Sequence, residues 1–347
     1  MAMADITVMG AGAFGLSVAF ACAQRGAKVR VVEKRRVGAG SSGGIVGALA
    51  PHTPERWNPK KAFQFESLIM AQEFWAQVRD TGGKSPGYAR TGRLQPVADE
   101  RALKLAQERE AQAAELWQGK ATWAVRSSEE LGDWAPPSPT GLVIHDTLSA
   151  RLHPAQACAA LAAAITASGG EIVTGDTATE GRVVWATGYE GLLQLSSDLG
   201  QTVGNGVKGQ AVLLSFDQRD RPQLYADSLH FVPHADGTLA IGSTSEREFD
   251  LPDRTDMQCD DLLARAVNTV PALRDAPVIQ RWAGVRPRAK SRAPMLGAWP
   301  GREGHFIANG GFKIGFGMAP KVAQVMADLV LEGRDEIPQE FRVEASL

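Results

Sequence analysis

The segment DITVMGAGAFG, residues 5–15, decides how the N-terminal part of this chain folds. DITVM is an apolar run typical of a strand, and GAGAFG fits the G-x-G-x-x-G pattern, whose glycines let the backbone approach a pyrophosphate. The following LSVAFACAQRG predicts a helix that ends at Gly26. AKVRVVEK then predicts a second strand that ends in Glu33, 18 residues after Gly15. Because the acid stands at the required spacing, the segment predicts a dinucleotide site with Glu33 on the ribose hydroxyls.

Two further segments match the same glycine pattern. GAGSSG opens the stretch GAGSSGGIVG at residues 38–47, and GNGVKG occupies residues 204–209. GAGSSG follows Glu33 too closely to have a strand, helix and acid of its own, and GNGVKG precedes a strand instead of a helix. We therefore expect one dinucleotide. GNGVKG is predicted to be a turn that enters a strand, and residues 38–47 form either a flexible loop or a second wall of the first site.

The composition is that of an ordinary soluble globular protein, with 347 residues of which 44% are hydrophobic and 22% charged. A net charge of −2 gives no electrostatic argument for nucleic acid or an anionic membrane as a partner. Three scattered cysteines, Cys22, Cys158 and Cys259, form no disulfide framework or metal motif, which favours a cytoplasmic location. Residues 6–24 lack charge, but glycines interrupt them and no basic residue precedes them, so we predict no signal peptide or membrane span.

Four later blocks suggest a family. In chain order they are GRVVWATG at 181–188, HFVPHADGTLAIGSTSE at 230–246, RWAGVRPRAKSRAPMLG at 281–297 and NGGFKIGFGMAPKVAQVMADLVLEG at 309–333. Together with the N-terminal unit, they resemble the FAD-dependent oxidases of the D-amino acid oxidase and glycine oxidase family over nearly the whole chain. The resemblance implies an α/β fold, with a doubly wound Rossmann-type FAD-binding domain and a second, mainly antiparallel-sheet substrate domain.

The resemblance also implies that the chain passes between the two domains more than once. We expect the FAD-binding domain at residues 1–85, 145–205 and 280–347, and the substrate-binding domain at 86–144 and 206–279. Periodicity predicts helices at 60–81, 99–118 and 154–168, and strand-like segments cluster between residues 208 and 245.

The residues expected to bind FAD follow from matching this chain to the family blocks. They are Gly10, Gly12, Ala13, Phe14 and Gly15 in the first turn; Glu33 and Lys34; Ser41, Ser42, Val46, Gly47 and Ala48 in the serine-containing loop; Ala186 and Gly188; and Gly311, Phe312, Lys313, Ile314, Gly315 and Phe316. A helix at about 318–332 is expected to direct its positive N-terminal end at the flavin. No cysteine lies in the C-terminal flavin block, so non-covalent FAD is expected.

The residues expected to act on the substrate come from the same blocks. Arg286 of AGVRP corresponds to the family arginine that grips the substrate carboxylate, a role suited to a planar guanidinium. Lys313 adds positive charge to the flavin or to the substrate, and His230 stands near a tyrosine that reaches the substrate in glycine oxidases. Ser245 and His52 are further candidates for lining the substrate site. No metal site is expected.

Two departures from the family pattern put glycine itself in doubt as the substrate, and a third, at Ser291 and Arg292, concerns only the loop after Arg286. Gly311 stands where the family usually has histidine, and His230 stands near a tyrosine position. Ser291 and Arg292 replace the aspartate–glycine pair that commonly follows the arginine.

The sequence thus predicts an enzyme that oxidises the C–N bond of an amino acid or secondary amine. Hydride passes from the substrate to flavin N5, the imine product hydrolyses, and O₂ or another carrier reoxidises the flavin. Four alternatives stay open: an amine dehydrogenase, an FAD module that oxidises an aminomethyl-uridine-type tRNA modification, an FAD-retaining protein without turnover, and a nicotinamide dehydrogenase. The oligomeric state, a homo-oligomer included, is left open.

Overall fold

The N-terminal segment forms the strand, helix and strand that the sequence predicts. In the computed structural model, which describes residues 3–347, β1 (Ile6–Met9) is followed by α1 (Ala13–Gln24) and β2 (Val29–Glu33). β1 and β2 pair in parallel. Gly12 precedes α1 in an extended conformation and offers no side chain to cap it. The first N–H groups of α1 therefore need partners from elsewhere.

The remaining strands and helices follow along the chain. In order they are β3 (Ala48–Leu49), α2 (Pro59–Gly82), β4 (Arg93–Pro96), α3 (Glu100–Leu116), β5 (Trp123–Ser127), β6 (Leu142–Asp146), β7 (Ala150–Arg151), α4 (Pro154–Ala167), β8 (Glu171–Thr174), β9 (Arg182–Trp185), α5 (Gly188–Asp198), β10 (Gly204–Ser215), β11 (Gln223–Ala226), β12 (Leu229–Pro233), β13 (Thr238–Gly242), α6 (Met257–Thr269), β14 (Val278–Ala289), β15 (Met295–Ala298), β16 (His305–Asn309) and α7 (Gly315–Ala327).

The first of the two large sheets has six strands in the order β15-β16-β9-β1-β2-β8. The pairs from β16 to β8 are all parallel, and only β15 runs antiparallel to its neighbour. α1 packs against α4 and α7, and α2 packs against the same two helices. A mostly parallel sheet covered by helices buries near-continuous apolar strands, as Ile6, Val8 and Val31 show. This half of the molecule confirms the predicted doubly wound fold.

The second large sheet has eight strands in the order β14-β10-β13-β12-β11-β4-β6-β5. Its neighbours are antiparallel except for the parallel pair β11 and β4. α6 packs on β10 and β13, and a separate apolar core that includes Phe231, Ile241 and Leu262 lies between them. The predicted mainly antiparallel sheet is therefore confirmed.

The chain crosses between the two sheets several times. β1 and β2 belong to the first sheet, β4 to β6 to the second, β8 and β9 to the first, β10 to β14 to the second, and β15 and β16 to the first. β14 begins beside the predicted domain boundary at residue 280, but it pairs along its length with β10 of the second sheet. Arg286 therefore reaches the boundary between the sheets from a strand of the second sheet.

The helices predicted near 60–81, 99–118 and 154–168 are confirmed as α2, α3 and α4. The Asn58 and Asp99 side chains accept backbone N–H groups of α2 and α3 and so cap these helices, and Pro154 opens α4. Within residues 3–347, none of the helices combines the length and the apolar character that crossing a membrane requires.

The prediction that residues 204–209 form a turn was wrong, because β10 begins at Gly204 and holds all of them in a strand. Its glycines leave room for side chains of the neighbouring strand β14. A Cβ atom on Gly206 would stand 2.5 Å from a methyl carbon of Val285, and a Cβ atom on Gly209 would stand 1.8 Å from Nη2 of Arg286. Glycine inside a strand often marks such a close approach.

Candidate functional site

One cavity of about 650 Å³ is lined by residues from both large sheets. On the side of the first sheet, it touches the last residues of four strands: Met9, Glu33, Trp185 and Asn309. On the side of the second sheet, it reaches Tyr225, His230, Trp282 and Arg286. Doubly wound folds bind ligands at the carboxyl ends of their parallel strands, so this cavity lies where a ligand is expected.

The first glycine turn forms the floor of the cavity beside the end of β9. Gly10 has a φ of 105°, and a Cβ atom there would lie 2.5 Å from the Ala186 carbonyl oxygen. A Cβ atom on Gly15 would come within 2.0 Å of the Gly10 carbonyl oxygen. Glycine is therefore required for the turn to close, and Gly10, Gly12, Ala186 and Gly188 all line the cavity. Gly15 does not, because it is packed beneath the turn.

The stretch at residues 38–47 lies against this turn. The Gly38 N–H donates to the Ala11 carbonyl at 2.9 Å, and the Ala13 N–H donates to Ser42 Oγ at 2.9 Å. Ser42 thus accepts the first N–H of α1, and its own hydroxyl hydrogen remains available for an anion. The cavity wall includes Ser41, Ser42, Val46, Gly47 and Ala48.

The same stretch continues to the second sheet. A Cβ atom on Gly242 of β13 would lie 2.7 Å from a methyl carbon of Val46, and one on Gly44 would lie 3.2 Å from the Trp282 ring. Residues 38–47 therefore connect the glycine turn of one sheet with the face of the other. They form a second wall of the same cavity.

Charged residues cluster at the end of β2. Glu33 accepts the Ala11 N–H at 2.9 Å and the Arg35 N–H at 3.1 Å through its two carboxylate oxygens. Arg35 in turn pairs with Glu190 at 3.4 Å. Glu33, Lys34, Arg35 and Glu190 all line the cavity, so this end offers a carboxylate for hydroxyl groups beside cations for phosphates.

Arg286 is the strongest anion-binding group at the opposite end. The residue is only 8% exposed, and its guanidinium donates to Ser243 Oγ at 2.6 Å and to the Thr244 carbonyl at 3.3 Å. Burial lowers its pKa to about 10, against the attraction of Glu246, so it stays protonated at neutral pH. Two of its five N–H groups are used, which leaves three for a ligand.

Lys313 is brought to the same end by backbone pairing. The Phe312 N–H donates to the Pro287 carbonyl at 3.0 Å, and Gly311 forms a bridge with Arg288, so residues 311–313 lie beside β14. The Lys313 side chain is solvent-accessible and lines the cavity. Desolvation and then the charge of Arg286 lower the pKa of Lys313. The two cations therefore act on one another.

His230 and Tyr225 form an aromatic pair in the cavity wall, with ring centroids 4.7 Å apart. Burial lowers the pKa of His230 to about 3, with smaller contributions from Arg93 and Lys313. The imidazole is therefore neutral at physiological pH. Within residues 3–347, its buried Nδ1 has no hydrogen-bond partner.

The helix predicted at 318–332 begins earlier, as α7, and continues beyond Ala327 in a π-helical turn over Asp328–Glu332. Gly315 and Phe316 of its first turn line the cavity, and no side chain caps this end. A Cβ atom on Gly311 would lie 3.0 Å from the Phe14 ring. Phe14 of α1 thus occupies the space that a side chain at position 311 would need.

Three other predicted residues lie outside the cavity wall. Ser245 does not line the cavity, and Ser243 lines it instead. Between them, Thr244 Oγ1 accepts the Gln210 N–H at 2.7 Å and so fixes the segment to β10. His52 stands before α2, where its N–H donates to Gln64 Oε1 at 2.7 Å. Ile314 packs against the apolar core of the first sheet.

Sequence reasoning missed several residues of the wall, and some of them are aromatic. Asn309 Nδ2 donates to the Gly188 carbonyl at 2.9 Å and so ties the end of β16 to the turn after β9. The signals that could have indicated these residues were their positions inside the family blocks or next to them. The missed residues include Trp185, Tyr189, Ser243, Trp282 and Asn309.

The first-sheet end of the cavity has the groups that a dinucleotide requires. α1 presents backbone N–H groups that no charged side chain occupies, the glycine turn admits no side chain, and Glu33 stands at the strand end. These residues fit FAD, and the wall continues without a break to Arg286.

Known proteins similar to this chain include FAD-dependent oxidoreductases and glycine oxidases. The family model DAO, FAD dependent oxidoreductase, matches residues 5–329. The glycine oxidase of Pseudomonas putida is 27% identical over 363 aligned positions, which cover 94% of each chain. Among solved structures, the iminodiacetate oxidase of Chelativorans sp. BNC1 superposes with a TM-score of 0.84 at 19% identity, over 97% of this chain and 98% of that one. The glycine oxidase of Geobacillus kaustophilus gives 0.82 at 22% identity, over 98% of each.

Proposed function

Because the chain belongs to the DAO family of FAD-dependent oxidoreductases, we propose that it oxidises the C–N bond of a carboxylated amine, either an amino acid or a secondary amine. One observation carries this proposal: a buried arginine with three unused N–H groups faces the cavity that begins at the dinucleotide motif. A planar guanidinium of this kind binds a carboxylate through two parallel hydrogen bonds.

The chain's own residues hold the cofactor in this proposal. The N-terminal turn of α1 and Ser42 bind the pyrophosphate, Glu33 binds the ribose, and residues 311–317 with the start of α7 face the ring. When bound, FAD supplies the two-electron acceptor for the oxidation. We propose that it is held non-covalently. Within residues 3–347, no cysteine lines the cavity, and burial raises the pKa of Cys22 and Cys158 to about 12.

Arg286 fixes the substrate by its carboxylate and thereby orients the Cα–H bond. Arg286 and Lys313 together make this end of the cavity positive, which disfavours the ammonium form of a bound amine. The amine nitrogen therefore loses its proton to water on binding, and no dedicated base is required. The neutral imidazole of His230 accepts a hydrogen bond from the N–H that remains.

Anaerobic bleaching of the yellow flavin tests the proposed function. The FAD-loaded protein is mixed with glycine, sarcosine, both enantiomers of common amino acids, proline and other secondary amines. Each substrate is paired with its decarboxylated analogue, such as dimethylamine for sarcosine. We expect at least one carboxylated amine to bleach the flavin and its analogue to fail. If no amine bleaches the flavin, the protein retains FAD without this activity.

Two further measurements complete the test. Acid precipitation is expected to release intact FAD into solution, and flavin that stays on the denatured chain would show covalent attachment. Reoxidation of the bleached protein by O₂, compared with reoxidation by a quinone or a dye, separates an oxidase from a dehydrogenase.

A further inference from the structure

Within the described part of the chain, the end of the cavity lined by Arg286 and Lys313, here called the substrate end, has two cations and no carboxylate in its wall. Arg286 and Lys313 both line this end, whereas the acids of the cavity wall, Glu33, Glu190 and Asp198, lie on the side of the first sheet. Among residues 3–347, neither cation forms an ion pair within 4.0 Å. Like charges that face one space repel each other unless a ligand compensates them.

The acid nearest to Arg286 is already engaged. Glu246 is buried, and its carboxylate pairs with Lys208 at 3.3 Å and accepts from Gln210 Nε2 at 3.1 Å. The oxygen that accepts from Gln210, Oε1, also accepts a short hydrogen bond from the Thr244 hydroxyl. Lys208 also pairs with Asp256 at 3.2 Å, so Glu246 is not its only partner, while within residues 3–347 Arg286 itself hydrogen-bonds only to the neutral groups of Ser243 and Thr244. A ligand carboxylate would give Arg286 the directly hydrogen-bonded anion that Ser243 and Thr244 do not supply.

Among the residues that the structure describes, Lys313 has no carboxylate partner. Its ammonium lies 5.8 Å from the centroid of the Phe312 ring, and among the residues the structure describes no side-chain or carbonyl oxygen accepts a hydrogen bond from it. The backbone bridge between Gly311 and Arg288 fixes the segment that carries it beside the strand of Arg286. Lys313 is accessible from the cavity, so its ammonium can bind a ligand group other than the carboxylate on Arg286.

We propose that the preferred substrate carries two carboxylates, one bound by Arg286 and the other by Lys313. The substrate class is then an acidic amino acid or a secondary amine with two carboxylate arms. The assignment rests on the proposed function, because it concerns the substrate of that same site. It goes beyond that function because it assigns Lys313 a role in substrate specificity. The competing use of Lys313 is to compensate the negative charge of the reduced cofactor.

Binding of non-reactive anions tests the assignment without turnover. The FAD-loaded protein is titrated with malonate, succinate and glutarate, and in parallel with acetate, propionate and butyrate, while the perturbation of the flavin spectrum is followed. We expect at least one dicarboxylate to bind about tenfold or more tightly than the monocarboxylates, the effect of one added charge-assisted hydrogen bond. Lys313→Gln is expected to abolish this preference and Lys313→Arg to keep it.

Lys290→Gln is the matched control, because it removes the same charge near the end of β14 from a side chain that bonds the Leu347 carbonyl outside the cavity. It is expected to keep the dicarboxylate preference. A retained flavin spectrum and an unchanged melting temperature show that each variant is folded. The flavin midpoint potential is measured on the wild type and on Lys313→Gln.

Each outcome decides a specific point. Equal affinity of the wild type for mono- and dicarboxylates overturns the proposal, and so does a preference that survives Lys313→Gln. A uniform loss of affinity in Lys313→Gln with a lowered flavin potential overturns it in favour of the cofactor role. If dicarboxylates are preferred through Lys313 but no amine bleaches the flavin, the anion assignment stands and the proposed oxidation fails.

Discussion

The guanidinium of Arg286 lies against the backbone of Gly209 on the neighbouring strand. A Cβ atom on Gly209 would come within 1.8 Å of Nη2 and 2.2 Å of Cζ of the arginine. The side chain of Arg286 can reach Ser243 in this way only because residue 209 has no side chain. The third glycine motif of the sequence thus has a positional role far from any phosphate.

Replacement of Gly209 by alanine is therefore expected to displace Arg286 and weaken the binding of carboxylated ligands. Because a misplacement of about 1 Å can greatly slow a reaction, we expect the half-saturating substrate concentration for flavin bleaching to rise about tenfold or more. FAD should remain bound. Asn205→Ala, an exposed position on the same strand, is the control and should behave as wild type. Wild-type half-saturation in Gly209→Ala would contradict this role.

Ser42→Ala is expected to weaken the binding of FAD. The substitution removes the acceptor of the Ala13 N–H and one donor beside the N-terminus of α1. Loss of one hydrogen bond costs about 1 kcal/mol, which corresponds to about a fivefold higher Kd for FAD. Fluorescence titration of the FAD-free protein measures this change, with Ser168→Ala at the end of α4 as the control. Equal FAD affinity in Ser42→Ala and Ser168→Ala would contradict a role of Ser42 in binding FAD.

The protein is expected to lose stability below about pH 6.5 because of a buried histidine. His234 Nε2 faces the Ile45 carbonyl at 2.8 Å, and burial together with His153 lowers the pKa of His234 to about 4. Since the unfolded histidine binds a proton near pH 6.5, its contribution is complete above that pH and declines as the pH falls toward 4. Between pH 7 and pH 5, this one group accounts for about 2 kcal/mol of lost stability.

His234→Gln keeps a donor for the Ile45 carbonyl and removes the titrating group. Urea unfolding at pH 7 and pH 5 should therefore show a smaller stability loss in the variant than in the wild type. The comparison at pH 8, where the histidine is neutral in both states, corrects for any packing cost. An identical pH dependence of the free energy of unfolding in both proteins would contradict the assignment.

The sequence predicted the part of the fold that depends on local signals. The turn at residues 10–15 and the acid at the end of β2 lie within one continuous segment, so their spacing alone predicts the strand, helix and strand. The caps of α2 and α3 are equally local. The same holds for the conclusion that residues 38–47 form no second nucleotide site, because they follow Glu33 too closely to have a strand and helix of their own.

What the sequence did not predict depends on pairs of strands that are distant along the chain. Residues 204–209 look like a turn until β14, about 80 residues later, places Val285 and Arg286 over their glycines. Ser243 was missed, and Ser245 chosen, because the hydrogen bonds of Thr244 to β10 and to Arg286 decide which serine reaches the cavity. No local pattern carries this information.

The central claim is that Arg286 binds the carboxylate of a substrate that reduces FAD. The most direct measurement is the anaerobic bleaching rate as a function of substrate concentration, in wild type and in Arg286→Ala. Arg281→Ala, on the same strand but paired with Asp260 outside the cavity, serves as the control. We expect Arg286→Ala to retain FAD and its half-saturating substrate concentration to rise about a hundredfold. A half-saturating substrate concentration in Arg286→Ala equal to that of the wild type would contradict the claim that Arg286 binds the substrate carboxylate.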